Sequence, residues 1–341
     1  MNFSAGWRWV KLALVGGTAA GQLWRVERMD VKPVGPAALI RNSCLAVLAL
    51  MSTGLCAARA SEVQCVNLMQ EIAQDASFAD ERVLTGFLFR AAEDDCVEVA
   101  ASLLEKGALA NARRGPGVAV LHIAARDGDP DMAKILLDHG ADINLRDLKG
   151  AHALFIAAEA RRKAMVSLLL ERGADINLPG RSDGTALVAA AFNGSDAIVK
   201  VLLKAGADPA LPDSTGKPAI VYAAARGFQR IVEALLAKGI DINARYAHGL
   251  TVLMWAAGHT NEVPEDEGVA LVRMLIERGA HVEDQDDRGR TPLMIAAGLD
   301  HPGVVSELLK RGAKRDIKDN DGKTAADLAA SDAVRAALGK S

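Results

Sequence analysis

Aromatic residues make up only 4% of this chain of 341 residues, although half of the residues are hydrophobic. A β-sandwich core draws on aromatic and β-branched side chains, so this composition argues against one. Alanine and leucine must fill the core instead, which suits helices packed closely side by side. The net charge at pH 7 is only −3, and nucleic-acid-binding domains are usually strongly basic. We therefore expect a helical protein without a nucleic-acid partner.

Signatures of catalysis are also lacking. The sequence contains no H-E-x-x-H, C-x-x-C, P-loop or G-x-S-x-G motif. The acidic turns at 284–289 and 316–322 fail the pattern of a calcium loop at two ligand positions each. The seven histidines show no paired spacing of the kind that metal sites use. We therefore expect no enzymatic activity, no cofactor and no metal.

The first 60 residues have the pattern of an export signal. Arg41 precedes a short apolar run at 44–51, and the small-x-small sequence Ala58-Arg59-Ala60 follows it. A basic flank, an apolar core of about 7–15 residues and such a site are typical of a cleaved signal peptide. Cleavage after Ala60 would place the mature chain in the periplasm or outside the cell, with no membrane attachment.

The start of this leader is open to two interpretations. Translation from Met29 would give a signal peptide of ordinary length. Alternatively, residues 12–24 belong to a longer leader that inserts into the membrane. The mature chain from residue 61 has 33 basic and 41 acidic residues in either case, a net charge of −8.

Cysteine is scarce as well, with four in the whole chain. Cys44 and Cys56 would leave with the leader, so Cys65 and Cys96 would remain. An even number of cysteines in an exported protein favours a disulfide. Two unpaired buried thiols are the alternative.

A repeat with a period of 33 residues runs through the rest of the chain. The apolar anchors of successive units are Leu88, Leu121, Leu154, Leu187, Ile220, Leu253, Leu293 and Ala326. One step, from Leu253 to Leu293, is 40 residues instead of 33. In most units a glycine follows the first of two paired alanines by 16 residues, as from Ala124 to Gly140. Such self-similarity indicates a stacked array of repeats.

Each unit reads as two short helices followed by a polar turn. Paired alanines in LHIAAR (121–126) let a neighbouring helix come close, and MAKILLDHG (132–140) is the second helix. Gly140 ends it, because glycine adopts a left-handed backbone without steric strain. One such pair cannot bury its own apolar face, so neighbouring units must bury it for each other.

These motifs resemble the ankyrin repeat, whose period is 33 and whose signature is T-P-L-H-x-A. The best copies are TPLMIA at 291–296 and LHIA at 121–124. The resemblance implies an all-α solenoid over 84–341, with about seven repeats, a partial C-terminal cap and a capping helix within 61–83. The signature histidine survives only as His122. We expect its side-chain hydrogen bond to be missing from the other repeats.

The resemblance also implies a binding surface made of turn tips and the exposed face of each first helix. Carried over position by position, its residues are Arg113, Arg126, Arg146, Lys149, Glu159, Arg181, Phe192, Lys217, Arg226, Tyr246, His248, Arg288 and Arg290. Nine of the thirteen are basic although the mature chain is acidic. We therefore expect a protein partner with an acidic surface. Exported bacterial proteins that this chain resembles include accessory factors for stress-defence enzymes and immunity proteins that block toxins.

The long step in the period arises at GHTNEVPEDEG (258–268), where one unit carries seven extra residues. The insertion is expected between the two helices of its unit, around 258–266, on the edge away from the predicted binding surface. Its acidic end suits the start of a helix. We expect His259, Glu262 and Glu265 to form a second contact point, with His259 and Glu262 the most exposed. The alternative function is an enzyme, or a module binding a small ligand or a metal, that uses 258–268.

Overall fold

The computed structural model describes residues 10–14, 24–28, 58–75 and 80–339. The chain divides into two compact units, Met1–Arg59 and Ala60–Ser341. In the first, strands β1 (Val10–Leu14) and β2 (Trp24–Arg28) pair antiparallel, an element that the sequence did not predict. The ends of the possible membrane leader at 12–24 therefore lie in strands. The apolar run at 44–51 and the possible start at Met29 lie outside the described residues.

From residue 58 the described residues form sixteen α-helices, and these stack in pairs as an α-solenoid, as predicted. The helices are α1 (Ala58–Gln74), α2 (Glu81–Glu93), α3 (Val97–Glu105), α4 (Val120–Asp127), α5 (Pro130–Asp138), α6 (Ala153–Glu159), α7 (Lys163–Glu171), α8 (Ala186–Phe192), α9 (Asp196–Lys204), α10 (Ala219–Ala225), α11 (Gln229–Leu236), α12 (Val252–Ala257), α13 (Glu265–Glu277), α14 (Pro292–Gly298), α15 (Pro302–Lys310) and α16 (Asp332–Gly339). A two-residue antiparallel pair, β3 (Arg113–Arg114) with β4 (Val118–Ala119), precedes α4. Among the described residues, no helix combines the length and apolarity needed to cross a membrane.

Local signals in the sequence set the ends of the helices. The Asp129 side chain accepts hydrogen bonds from the backbone N–H groups of Asp131 and Met132, which caps α5, and Pro130 occupies its first position. Proline is well tolerated there because that N–H has no partner within the helix. Past the other end, Gly140 has a φ of 81°, as predicted for the residue that stops this helix.

The core is continuous along the stack and depends on alanine. First helices of successive repeats contact one another from α2 through α4, α6, α8, α10, α12 and α14. The paired alanines on these helices, such as Ala157 and Ala158, are completely buried. Leucines of the second helices, such as Leu169 and Leu202, are also completely buried. Burial of each such leucine stabilises the fold by about 1.5–3 kcal/mol.

Polar side chains tie most turns to the next. Asn144 Oδ1 accepts a hydrogen bond of 3.0 Å from the backbone N–H of Asp175. Equivalent bonds join Asn111 to Asp142, Asn177 to Asp208 and Asn243 to His281. Within four of the turns an aspartate holds the loop closed, as where Asp147 accepts from the N–H groups of Lys149 and Ala151, both at 2.8 Å. The asparagine of the recurring GADIN sequence is thus a link between repeats.

The structure corrects the prediction about the signature histidine. His122 behaves as expected: Nδ1 accepts from the Ala119 N–H and Nε2 lies 2.8 Å from the Leu145 carbonyl. The next repeat has Phe155 at that position, yet His152 places its Nε2 3.0 Å from the Leu178 carbonyl. In this repeat the bond is therefore supplied by the residue that precedes the helix and is not lost. Burial lowers the pKa of both histidines, so both are neutral at pH 7.

The N-terminal end of the stack is fixed covalently. Cys65 on α1 is bonded to Cys96, which confirms the predicted disulfide; their Cα atoms are 5.4 Å apart. Leu68 of the same helix is buried in the core, and Glu71 pairs with Arg90 of α2. The helix begins at Ala58, so the predicted cut after Ala60 falls within its first turn.

Candidate partner-binding face

The predicted binding residues lie at two kinds of position. Arg126, Glu159, Phe192 and Arg226 are at or next to the C-terminal ends of first helices. The other nine lie in the turns that precede first helices. Side-chain contacts connect many of them into three groups, which we call the Arg181 group, the Phe192 group and the Trp255 group.

The Arg181 group contains a network of charges beside an aromatic ring. Arg181 lies 2.6 Å from Glu159 and 3.9 Å from the buried carboxylate of Asp147. Its guanidinium is 6.0 Å from the centre of the Phe155 ring. Because Arg181 and Glu159 neutralise each other, this group offers little net charge to a partner.

The Phe192 group is an exposed stack across two repeats. Phe192 is 45% exposed, and its ring meets that of Tyr222 edge-on at 5.6 Å. The Arg226 guanidinium lies 4.8 Å from the Phe192 ring centre. The Tyr222 hydroxyl donates to Asp213, and burial, followed by this hydrogen bond, raises the pKa of Tyr222. Tyr222 was not among the predicted residues, although it lies one helical turn before Arg226 on the same helix face.

The Trp255 group lines a shallow cavity of about 270 Å³. Its lining includes Trp255, His248, Leu299, Arg288 and Arg290. The Lys217 ammonium is 5.2 Å from the Trp255 ring centre, and Leu299 is 52% exposed. The cavity thus has an apolar wall and a basic rim. Lys217, His248, Arg288 and Arg290 of the predicted face lie around this cavity, whereas its wall residues Trp255 and Leu299 were not predicted. Trp255 occupies the repeat position of Tyr222, which the carried-over pattern does not include, and Leu299 occupies that of Arg226, which the pattern includes only in the other repeat.

The predicted binding face has a smaller net positive charge than its nine basic residues suggest. Arg126, Arg181, Arg226 and Arg290 have acidic partners, Asp127, Glu159, Glu262 and Asp286 respectively. Within the described part of the chain no ion pair involves the other five basic residues, Arg113, Arg146, Lys149, Lys217 and Arg288.

Tyr246 of the predicted face is half-buried, and burial raises its pKa.

The insertion lies closer to this face than predicted. It connects α12 to α13 and folds back on the preceding repeat, where the Thr260 N–H donates to the Ala225 carbonyl at 2.9 Å. Glu262, with 82% of its side chain exposed, lies 3.8 Å from Arg226. The expectation that the loop lies away from the binding face was therefore wrong. Glu265 does open α13 together with two further acids, as predicted from the dipole of a helix.

His259 also departs from expectation. It was predicted to be exposed, but it is buried, and its ring lies 3.9 Å from that of buried His301. Burial, and next the nearby His259, lower the pKa of His301. The two histidines are 42 residues apart, and nothing in their spacing indicates that they meet. Contact requires the path of the inserted loop, which the repeat pattern does not fix.

Comparison with known proteins assigns the architecture. The family model described as ankyrin repeats (3 copies) matches residues 88–180, 121–213, 187–265 and 253–338. Protein phosphatase 1 regulatory subunit 27 of Homo sapiens and of Mus musculus is 37% identical over 57 residues, which is 17% of this chain. The chain spans only 37% of the length of these relatives.

A solved structure extends the similarity over more of the chain. The crystal structure of the human ASB11 ankyrin repeat domain matches with a TM-score of 0.56 and 31% identity. The match covers 66% of this chain and 96% of that domain. The periodic helices, the buried alanine pairs and the family match agree, and the chain belongs to the ankyrin-repeat family.

Proposed function

We propose that this chain is an exported, non-catalytic protein-binding module whose partner contacts the predicted face with an acidic surface. The observation that carries the proposal is the Phe192 group, in which aromatic rings and a guanidinium stack at the surface across neighbouring repeats. Tyrosine, tryptophan and arginine dominate the binding energy of protein interfaces. The Trp255 group provides a second such anchor point.

The unpaired basic residues support the choice of an acidic partner. Arg146, Lys149 and Arg288 lie at turn tips, are exposed, and have no ion pair in the described part of the chain. Such charges raise the rate of encounter with an oppositely charged surface and help to set its orientation. Association should therefore slow as the salt concentration rises.

Two observations support export. The first is the signal-peptide pattern that ends at Ala60, and the second is the Cys65–Cys96 disulfide, a bond typical of oxidising compartments. We expect N-terminal sequencing of the exported protein to start at Ser61. A different N-terminus would contradict the cleavage site, and retention in the cytoplasm would contradict export.

Two roles fit a periplasmic or secreted ankyrin module. In one it is an accessory factor for a stress-defence enzyme, and in the other an immunity protein that blocks a toxin. The partial similarity to a protein that is named as a phosphatase regulatory subunit supports control of an enzyme in either role. The two differ in the captured partner, which is an enzyme of the same cell in the first role and a toxin in the second.

The charged tips provide the test of the face. We expect the triple variant Arg146→Glu, Lys149→Glu and Arg288→Glu to bind its captured partner at least tenfold more weakly, because three attractive charges become repulsive. Arg181 is left unchanged because Glu159 already neutralises it. The measurement is affinity capture from the extracytoplasmic fraction, followed by titration of the captured protein.

A matched control reverses three charges on the other side of the helix pairs. Lys163, Lys204 and Lys238 are exposed and lie on or beside second helices. Replacing all three with Glu changes the net charge equally and should leave binding within about twofold of the wild type. Equal loss in both triple variants would show that only net charge matters. Unchanged binding in the tip variant would contradict the proposed face.

A further inference from the structure

Three side chains converge where the insertion meets the following repeat. His259 comes from the inserted loop, Glu265 is the first residue of α13, and His301 directly precedes α15. Glu265 Oε2 lies 3.9 Å from His259 Nε2 and 3.5 Å from His301 Nδ1. All three ligand atoms are within 4.8 Å of one another. We call these residues the His259 cluster.

Backbone contacts determine which nitrogen of each ring faces the cluster. His259 Nδ1 lies 3.1 Å from the Thr260 carbonyl, and His301 Nε2 lies 3.0 Å from the His259 carbonyl. A carbonyl can only accept, so in a neutral ring these nitrogens carry the hydrogen. The nitrogens that face Glu265 therefore carry lone pairs. The same arrangement, an imidazole N–H held by a backbone carbonyl, orients histidine ligands in metal sites.

Glu265 is oriented in the same way. Its Oε1 accepts hydrogen bonds from the N–H groups of Gly303 and Val304, at 2.7 and 3.3 Å. Its Oε2 is left directed at the two rings. Three acceptor atoms thus face one another, and in the described part of the chain buried His259 Nε2 has no hydrogen-bond partner. Buried acceptors of this kind call for a partner that carries positive charge.

Two glycines make room for this arrangement. A Cβ atom on Gly268 would collide with the His259 ring, and one on Gly303 would lie 2.7 Å from Glu265 Oε1. Neither glycine has the positive φ that would require glycine for its backbone conformation. Because these glycines have no side chain, His259 can approach Gly268 closely and Glu265 can approach Gly303 closely.

We propose that His259, Glu265 and His301 bind a zinc ion, with a fourth position open to water. Two imidazoles and one carboxylate are a ligand set that zinc adopts, with bond lengths of about 2.0–2.2 Å. At those lengths tetrahedral ligands lie roughly 3.3 Å apart, so only small inward movements are needed. Calcium and magnesium prefer oxygen ligands alone and do not fit.

The site is positioned to join two repeats. His259 and His301 have only 1% and 4% of their side chains exposed, whereas Glu265 is 41% exposed and gives the ion a route from solvent. Zinc would connect the inserted loop and α13 to the first residues of α15. This proposal stands independently of the partner-binding face, because it concerns only metal binding by the chain itself.

The test uses the whole protein, stripped of metal and then titrated with zinc in competition with a chromophoric chelator. We expect one zinc per chain. His259→Gln and Glu265→Gln should each weaken binding at least tenfold. In the second variant the amide oxygen can still accept from the Gly303 N–H, so the fold is preserved while the charge is lost. Far-UV circular dichroism verifies folding of each variant.

His281→Ala is the matched control. His281 Nδ1 lies 3.6 Å from Asp284, but the imidazole is exposed, and among the described residues no third ligand joins this pair. We expect this variant to bind zinc as the wild type does. Cobalt in place of zinc should give the intense visible absorption of a tetrahedral ion. A stoichiometry below one, or equal affinity in wild type, His259→Gln and Glu265→Gln, would overturn the proposal.

Discussion

His152 directly precedes its helix whereas His122 lies within one, yet the His152 imidazole reaches the equivalent backbone carbonyl in the next repeat. The motif T-P-L-H-x-A specifies which residue type occupies each position. It does not specify which backbone group a side chain contacts. Met254 stands at the signature position of a third repeat and keeps the other bond of His122, since its sulfur accepts from the Thr251 N–H at 3.4 Å as His122 Nδ1 accepts from the Ala119 N–H. The loss of the histidine from the pattern therefore does not remove both of its contacts in every repeat.

Asp95 is a single residue that works against stability. A hydrogen bond with the Asp129 carboxyl, followed by burial, raises the pKa of Asp95 to about 6 from an ordinary value of 3.8. The folded state therefore holds this proton more tightly than the unfolded state. Stability falls as pH rises from about 4 to 6, and the loss persists at pH 7.

We expect Asp95→Asn to raise the free energy of unfolding at pH 7 by about 1 kcal/mol, after allowance for solvent screening of this exposed group. The gain should vanish near pH 4, where the wild-type carboxyl is protonated. Asparagine also tolerates the backbone here, where φ is 57°. The measurement is urea denaturation at both pH values. Asp94→Asn makes the same charge change one residue away, and an equal gain from it would refute the pairing.

At the scale of elements, α1 differs from every repeat helix in how it is attached. One face of it meets the stack, where Leu68 is buried, and its ion pair with Arg90 is exposed to solvent. Exposed ion pairs contribute at most about 1 kcal/mol. The disulfide spans 31 residues, and a loop of that size corresponds to roughly 3–4 kcal/mol. The covalent bond therefore contributes more to the attachment of this helix than the ion pair does, and about as much as or more than the burial of Leu68.

We expect the double variant Cys65→Ala and Cys96→Ala to release α1 while the repeats stay folded. Hydrogen exchange should show loss of protection in α1 and unchanged protection from α4 onward. Glu71→Gln, which removes only the exposed ion pair, should leave exchange in α1 nearly as in the wild type. Loss of protection throughout the array would instead mean that the disulfide stabilises the whole stack.

At the scale of the whole molecule, most of the architecture could be predicted because each repeat carries the same sequence signals for its helices and turns. The period of 33, the buried alanine pairs and the end of α5 at Gly140 all follow from local rules that recur. The features that were missed occur once. The strands at 10–14 and 24–28 pair with each other outside the repeats, where the period gives no information. The burial of His259 depends on His301, 42 residues away, and the wall of the Trp255 cavity on residues from two repeats, contacts that the repeat pattern does not encode.

One junction between repeats lacks the polar link that the others have. Ala210 stands where Asn177 and Asn243 stand in neighbouring turns, and its N–H bonds to Asp208 as the Asn177 N–H bonds to Asp175. In the described part of the chain no side chain accepts from the Asp241 N–H. We expect Ala210→Asn to restore that bond and raise the free energy of unfolding by about 1 kcal/mol.

Urea denaturation measures this gain. Asn177→Ala is the reverse variant, and it should destabilise by a similar amount because it removes an existing link to Asp208. A lower midpoint for Ala210→Asn would mean that the asparagine cannot adopt the conformation of its counterparts, which would contradict the equivalence of these turns.

The inserted loop adds a contact at the junction that follows this one. The α8–α9 and α10–α11 units lack the asparagine bond, whereas the Thr260 N–H joins the α12–α13 unit to the Ala225 carbonyl of the α10–α11 unit. Lys217 belongs to the turn after α9 and Trp255 to α12, so their contact spans both junctions. A change in the packing at either junction would therefore alter the distance between the basic rim and the apolar wall of the Trp255 cavity.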